Sequence, residues 1–262
     1  MSLNFNHELD VATIAAHRAG GLLRMHFERG VQAHTKSTQF DLVTEADKAS
    51  ETIIVTVLTE AFPDHRILSE EGGGNHAESE YVWLVDPLDG TTNFAHGHPQ
   101  FCVSVALQHA GSTVVGVVYN VMRDELFTAV RGAGARLNGC PIRISCTPTL
   151  TGSLLATGFP YDRQSDPQNN LDQFGDLLLR AQGVLHEGSA AIDLAAVAAG
   201  RLDGYWEFKL QPWDLAAGAM LVGEAGGSVT SPQGGTLDLW TGNVVASNGH
   251  IHGEMLANLC QV

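Results

Sequence analysis

The sequence predicts a layered α/β (α+β) fold, and three observations support this prediction. Residues 8–28 carry apolar side chains at three- and four-residue spacing, which indicates an amphipathic helix. Five short runs of β-branched or aromatic residues between 66 and 130 are separated by Gly, Asp or Asn, which indicates a largely antiparallel centre. Residues 153–260 alternate between strand-like and helix-like segments.

The remaining elements follow from local signals along the chain. Residues 30–40 are polar and fit either a short hairpin or a loop. A second helix is expected over 44–61, because Thr44 fits an N-cap with Asp47 three positions later and Pro63 ends the segment. Strands are predicted at 66–69, 82–86, 101–108, 113–120, 125–130, 153–157, 183–186, 203–208, 227–230 and 243–247. Further helices are predicted at 167–181, 189–199, 212–225 and 249–260.

Length and charge limit the classes of protein. A chain of 262 residues fits a single unit, 1–262, with possible subdomains 1–148 and 149–262. The net charge of −15 argues against direct nucleic-acid binding and against association with anionic membranes, but it is compatible with metal cations. There is no apparent secretory signal or membrane span, and the four cysteines show no disulfide framework. These features predict a cytoplasmic protein with free, buried thiols.

Segment 81–94, YVWLVDPLDGTTNF, is the strongest candidate for a metal site. A hydrophobic strand ends in Asp86, Pro87 interrupts the ladder, and Asp89-Gly90 makes a turn. The two carboxylates and the Leu88 carbonyl can face one point and offer the hard oxygen ligands that Mg²⁺ prefers. An ordinary Asp-Pro and Asp-Gly turn without metal is the alternative.

Other acidic and hydroxyl residues extend this pattern. Glu70 ends another apolar segment, and Asp214 begins an apolar helix, where its alternative role is to stabilise the helix N-terminus. Thr91 bonded to Asp47 could orient a water molecule, whereas helix capping alone is the alternative for Asp47. The backbone amides near Gly90 and Thr91, at a predicted helix start, could bind a phosphate.

Taken together, these pieces resemble the inositol monophosphatase family, within the lithium-sensitive, magnesium-dependent phosphatases. The matching stretches are DLVTEAD (41–47), ILSEE (67–71), WLVDPLDGTTNF (83–94), GSAA (188–191) and PWDLAAG (212–218). They occur in order over nearly the whole chain. The combination is specific for the superfamily, although no single stretch is.

The resemblance implies two to three Mg²⁺ ions per subunit. The implied metal ligands are Glu70, Asp86, the Leu88 carbonyl, Asp89 and Asp214. The implied catalytic residues are Asp47, Thr91 and Glu70, of which Thr91 and Asp47 position the attacking water. The implied substrate-binding residues are Gly90, Thr91, Ala190, Glu207, which binds sugar hydroxyls, and Lys36, which lies on a loop near the metals. Relatives often have Arg at the position of Leu185, so no contact is carried over there.

The resemblance further implies an αβαβα sandwich sugar-phosphatase fold and a homodimer. It implies hydrolysis of myo-inositol monophosphates, and of related sugar or polyol phosphates, by a metal-activated water, with inhibition by lithium. Histidinol phosphate, fructose 1,6-bisphosphate and 3′-nucleotides are the alternative substrates. A protein-binding, regulatory role associated with transcription is the alternative from a different functional class.

Overall fold

The computed structural model describes residues 5–30, 33–35 and 42–259, and over these ranges the chain forms seven α-helices and fourteen β-strands. The helices are α1 (Asn6–Arg29), α2 (Glu45–Ala61), α3 (Thr91–Ala95), α4 (Leu171–Leu178), α5 (Ala190–Ala198), α6 (Pro212–Glu224) and α7 (His252–Leu259). The strands are β1 (Ala33–Thr35), β2 (Leu42–Thr44), β3 (Arg66–Ser69), β4 (Tyr81–Asp89), β5 (Cys102–His109), β6 (Ser112–Asn120), β7 (Glu125–Val130), β8 (Ala135–Leu137), β9 (Cys140–Pro141), β10 (Leu154–Thr157), β11 (Gly183–Leu185), β12 (Gly204–Glu207), β13 (Ser228–Thr230) and β14 (Val244–Ser247). A short 3₁₀ helix spans Leu150–Gly152.

The strands form two large sheets and one small antiparallel pair, β1–β2. The first large sheet has the order β3-β4-β5-β6-β7-β8-β9, in which only the β3–β4 pair is parallel. The second has the order β11-β10-β12-β14-β13, with β10 parallel to both of its neighbours. The expected hairpin of 101–108 with 113–120 is present as β5–β6.

Helices and sheets alternate in five layers. Helices α1 and α2 cover the outer face of the first sheet, through a core that includes Leu23, Ile54 and Trp83. Helices α5 and α6 lie between the two sheets and contact both of them. Helices α4 and α7 cover the outer face of the second sheet around Trp206 and Met255. The predicted αβαβα arrangement is therefore confirmed.

The N-terminal ends of two helices follow the sequence prediction closely. Thr44 caps α2, because its hydroxyl accepts from Ala46 N at 3.1 Å, and Asp47 completes the capping box. Ser189 caps α5, because its side chain accepts from Ile192 N at 3.4 Å. Both caps border the candidate site described below.

Two predictions about local structure were wrong in part. The helix expected over 167–181 begins only at Leu171, because Asn170 adopts a left-handed conformation (φ 70°) and its side-chain amide donates to Thr157 Oγ1 and the Gly158 carbonyl. Strands β8 and β9 were not predicted, since segments of two or three residues carry too little periodicity to be recognised.

The prediction of free, buried thiols was right in part. Cys102, Cys140 and Cys146 are free, as expected, but Cys140 and Cys146 are exposed and of these three only Cys102 is buried. Cys260 lies outside the described ranges. In residues 5–30, 33–35 and 42–259, no helix is long and apolar enough to cross a bilayer. The single unit 1–262, with possible subdomains 1–148 and 149–262, stays a prediction.

Candidate active site

One cavity of about 630 Å³ brings together most of the predicted site residues. It opens where the end of β4 faces the N-termini of α5 and α6. The predicted residues in its lining are Glu70, Asp86, Leu88, Asp89, Gly90, Thr91, Ala190, Glu207 and Asp214. Asp47 is fully buried behind Thr91. Lys36 lies outside the described residues, so its predicted role stays a prediction.

The end of β4 is bent so that its acidic groups reach the cavity. The ladder with β5 is irregular between Asp86 and Asp89, as expected for a strand interrupted by Pro87. Asp86 Oδ1 accepts from Leu88 N at 2.9 Å, which stabilises the bend. Gly90 then adopts φ 94°, and a Cβ atom there would lie 2.9 Å from the Gln100 carbonyl oxygen. Only glycine fits this position without strain.

Asp47 and Thr91 are joined as predicted, and Asp47 also has its capping role. The Thr91 hydroxyl donates to Asp47 Oδ1 at 3.0 Å. Asp47 Oδ2 accepts from the amide and hydroxyl of Thr44, at 2.8 and 2.5 Å. Because the two carboxylate oxygens serve different partners, capping and alignment of Thr91 are compatible. The Thr91 hydroxyl is also 3.0 Å from the Leu88 carbonyl, so its single proton serves one acceptor at a time.

In both Asp89 and Asp214, hydrogen bonds fix one of the two carboxylate oxygens. Asp89 Oδ2 accepts from Ser189 Oγ at 2.7 Å and from Ala191 N at 2.8 Å, and this links β4 to the start of α5. Asp214 Oδ2 accepts from Gln211 N at 2.8 Å as part of a capping box, which is the structural alternative considered for this residue. Fixing one oxygen of each carboxylate orients the side chain at low entropic cost.

The acidic side chains interact unfavourably with one another in this cavity. Burial raises the pKa of Asp86 well above its ordinary value, and the nearby Glu70, Asp89 and Asp214 carboxylates raise it further. Burial is also the main cause of the raised pKa of Asp89 and of Asp214. A divalent cation would offset this repulsion.

The donor set fits a hard divalent cation. Carboxylates and a backbone carbonyl are the oxygen ligands that Mg²⁺ prefers. Among the residues described, no three Asp, Glu, His or Cys side chains already form a closed metal site.

Glu207 occupies a different part of the cavity wall. The Tyr205 hydroxyl donates to Glu207 Oε2, and both residues lie on the same face of β12. A Cβ atom on Gly158 would overlap both carboxylate oxygens of Glu207, so any larger residue there would have to displace them. Burial raises the pKa of Glu207 to about 7, and a neutral or charged carboxyl can accept hydrogen bonds from hydroxyl groups.

Three residues near Glu207 were missed in the sequence. Gly158 and Tyr205 support Glu207 as described, and Asp193 lines the cavity with Oδ1 buried and without a hydrogen-bond partner among the described residues. Burial and the neighbouring Glu187 raise the pKa of Asp193. Asp193 lies one helical turn after Ser189, so the i, i+4 spacing along α5 was the available signal.

Comparison with known proteins gives a consistent result. The family model described as "Inositol monophosphatase family" matches residues 6–262. The chain is 48% identical to an inositol-1-monophosphatase from Synechocystis over 94% of its own length and 86% of that protein. It is 45% identical to a Nus factor SuhB from Escherichia coli, over 96% of this chain and 95% of that protein.

Solved structures agree with this result. An inositol monophosphatase from Anabaena has a TM-score of 0.91 with 46% identity and covers 99% of this chain and 98% of its own. An extragenic suppressor protein SuhB from Bartonella henselae also has a TM-score of 0.91, with 40% identity over 97% of this chain and 98% of its own. The chain belongs to the inositol monophosphatase family and is an enzyme of the phosphatase class.

Proposed function

We propose that this protein is a Mg²⁺-dependent phosphomonoesterase that releases phosphate from myo-inositol monophosphates and related polyol phosphates. One observation supports this proposal above the others. Four carboxylates, the Leu88 carbonyl and the Asp47–Thr91 pair meet at the same cavity as Glu207. A metal-binding set, a water-orienting pair and a hydroxyl acceptor are thus within reach of one small molecule.

The proposed metal ligands are residues that already converge on the cavity. Glu70, Asp86 and the Leu88 carbonyl would hold one ion, and Asp86, Asp89 and Asp214 a second. Bound Mg²⁺ supplies Lewis acidity that neutralises phosphate oxygens and favours the departing alkoxide. Glu70 would share a third ion through waters.

The Asp47–Thr91 pair would prepare the nucleophile. Because the Thr91 hydroxyl donates to Asp47, its lone pairs remain available to accept a hydrogen bond from a water molecule. Asp47 is held at its other oxygen by Thr44, so the pair is fixed before substrate binds. This preorganisation orients the water for attack on phosphorus.

The substrate would be recognised at both ends. The Gly90 and Thr91 amides are proposed to contact the phosphate, and Lys36 is proposed to contribute to substrate binding. Glu207 and the region of Ala190 are proposed to contact hydroxyl groups on the polyol. Hydroxyl donors suit a wall containing Glu207 and Asp193, because carboxyl groups there provide acceptors.

A substrate panel with controlled metal tests this proposal. We expect phosphate release from inositol 1-phosphate to require added Mg²⁺ and to be inhibited by lithium. Histidinol phosphate, fructose 1,6-bisphosphate and 3′-phosphoadenosine are expected to give lower kcat/KM. Full activity after exhaustive chelation would contradict the metal dependence, and a higher kcat/KM for another panel member would replace inositol phosphate as the substrate.

A second candidate function is binding to a partner protein associated with transcription. The relatives named Nus factor SuhB favour it, since one shares 45% identity with this chain. Asp89→Asn separates the candidates, because it should abolish turnover and leave protein binding largely intact. We also propose that the protein is a cytoplasmic homodimer without direct nucleic-acid or membrane binding, which light scattering and fractionation would test.

A further inference from the structure

Lys209 adopts an unusual backbone conformation between Glu207 and Asp214. Its φ is 62°, in the left-handed region that a long side chain without local hydrogen bonding rarely adopts. The conformation is held in place, because Lys209 N donates to Asn243 Oδ1 at 3.1 Å and Leu210 N donates to the Gly242 carbonyl at 2.9 Å. The strained backbone persists because these surrounding contacts hold it.

The Lys209 ammonium is fully engaged with two carboxylates from the loop that precedes α4. Its Nζ lies 2.9 Å from Asp162 Oδ2, 3.1 Å from Asp162 Oδ1 and 2.8 Å from Asp166 Oδ2. The hydrogen bond from Lys209 is the main cause of the lowered pKa of Asp166. These three side chains, called the rim cluster below, have a combined charge of −1.

The rim cluster lies at the opening of the active-site cavity. Lys209 itself lines the cavity, as do Tyr161 and Arg163 next to Asp162 in sequence. Tyr161 is 52% exposed, so this part of the lining is at the mouth rather than the floor. The Lys209 side chain is 28% exposed, between the solvent and the cavity.

We propose that the rim cluster is a specificity determinant that favours substrates with a single phosphate over those with two. The proposal rests on the phosphomonoesterase function proposed above. On this proposal, a bisphosphate with one phosphate at the carboxylate end of the cavity would direct its second phosphate toward the mouth, where a cation would favour its binding. Lys209 and Arg163 are the Lys and Arg side chains in that part of the lining, and the Lys209 ammonium is already paired with two carboxylates. A substrate with only hydroxyl groups at that end does not need this cation.

The test removes the acidic charges and keeps the lysine. The double variant Asp162→Asn/Asp166→Asn removes both ion pairs of Lys209. The ratio of kcat/KM for fructose 1,6-bisphosphate to kcat/KM for inositol 1-phosphate should then rise about fivefold. The gain should decline with added salt, because the interaction is electrostatic and partly exposed. Adding Lys209→Gly to this double variant should remove the gain while relieving the backbone strain.

A charge-matched control keeps the result specific. Asp64→Asn/Asp176→Asn also removes two acidic charges, from exposed positions outside the cavity lining, and should leave the ratio unchanged. An unchanged ratio in the rim double variant, or an equal rise in the control or after Lys209→Gly, would overturn the proposal. Hydrolysis of a small aryl phosphate by the unaltered protein tests the proposed function separately, because its absence would refute the phosphatase proposal rather than the rim cluster.

Discussion

Thr91 and Asp47 are 44 residues apart in sequence, yet the Thr91 hydroxyl is 3.0 Å from Asp47 Oδ1 and both side chains are buried. This bond ties the first turn of α3 to the first turn of α2. Its energetic value for folding is modest, about 1 kcal/mol, so its position at the cavity matters more for chemistry than for stability.

We predict that Thr91→Val lowers kcat by roughly 100-fold with little change in KM, because orientation of the water is lost while substrate contacts persist. Thr91→Ser keeps the hydroxyl and should retain most of the activity. Steady-state kinetics of both variants, with thermal unfolding to verify folding, provide the measurement. Equal losses in the two variants would show that the hydroxyl is not what matters.

We predict that Gly158→Ala weakens binding of inositol phosphate and not of a generic aryl phosphate. The added methyl group would overlap the Glu207 carboxylate oxygens and must displace them. Glu207→Gln should raise KM in the same selective way. Gly175→Ala is the matched control, since its added methyl group would have no neighbouring atom within 4 Å and it should stabilise α4 by about 0.5–1 kcal/mol. A similar KM change for both substrates would exclude Glu207 as a hydroxyl contact.

We predict that the chelated protein loses stability as pH rises from about 5 to 8. Glu207 has a folded-state pKa of about 7 against an ordinary value of 4.5, so the folded state binds this proton more tightly than the unfolded chain. The destabilisation caused by ionising Glu207 is therefore absent below pH 4.5 and complete above about pH 7. The pKa values of Asp86 and Asp214 are raised as well, so their ionisation also destabilises the folded state.

Thermal unfolding at a series of pH values checks this prediction. Glu207→Gln should flatten part of the slope because it removes one titrating group. Added Mg²⁺ should raise Tm more at about pH 8 than at about pH 5, since ionised carboxylates bind it better. A Tm that increases steadily with pH in the chelated protein would contradict the assigned direction.

We predict that a thiol reagent modifies Cys140 and Cys146 in the native protein and Cys102 only after unfolding. Cys140 and Cys146 are exposed, whereas Cys102 is buried and its burial raises the pKa of its thiol well above the ordinary value. Mass spectrometry of labelled peptides distinguishes the sites. Rapid native labelling of Cys102 would mean that the region around Asp89 opens readily.

The sequence predicted local structure best at residues that occur in few kinds of structure, such as helix caps and turns. Thr44 and Asp47 predicted the start of α2, and the Asp86–Gly90 segment predicted a bend after a buried strand. The layered fold followed from periodicity in long segments. These signals are local, so they do not depend on knowing which parts of the chain meet.

The support around Glu207 depends on contacts that a sequence does not display. Gly158 and Glu207 are 49 residues apart and become neighbours only through the parallel pairing of β10 and β12. The early part of the predicted helix at 167–181 was replaced by a loop for a similar reason. Asn170 bonds to Thr157 and to the Trp206 indole nitrogen at 2.7 Å, and these distant partners override local helix propensity.

The placement of α6 in the layer between the sheets has a consequence for how the protein matures during synthesis. Asp86 and Asp89 leave the ribosome more than a hundred residues before Asp214, and the central layer cannot close until the helix bearing Asp214 has been made. A nascent chain that ends before α6 therefore contains the bend at the end of β4 but lacks the helix that faces it across the cavity. We expect such truncated chains to lack phosphatase activity, and we expect activity to appear abruptly when the final fifth of the polypeptide docks.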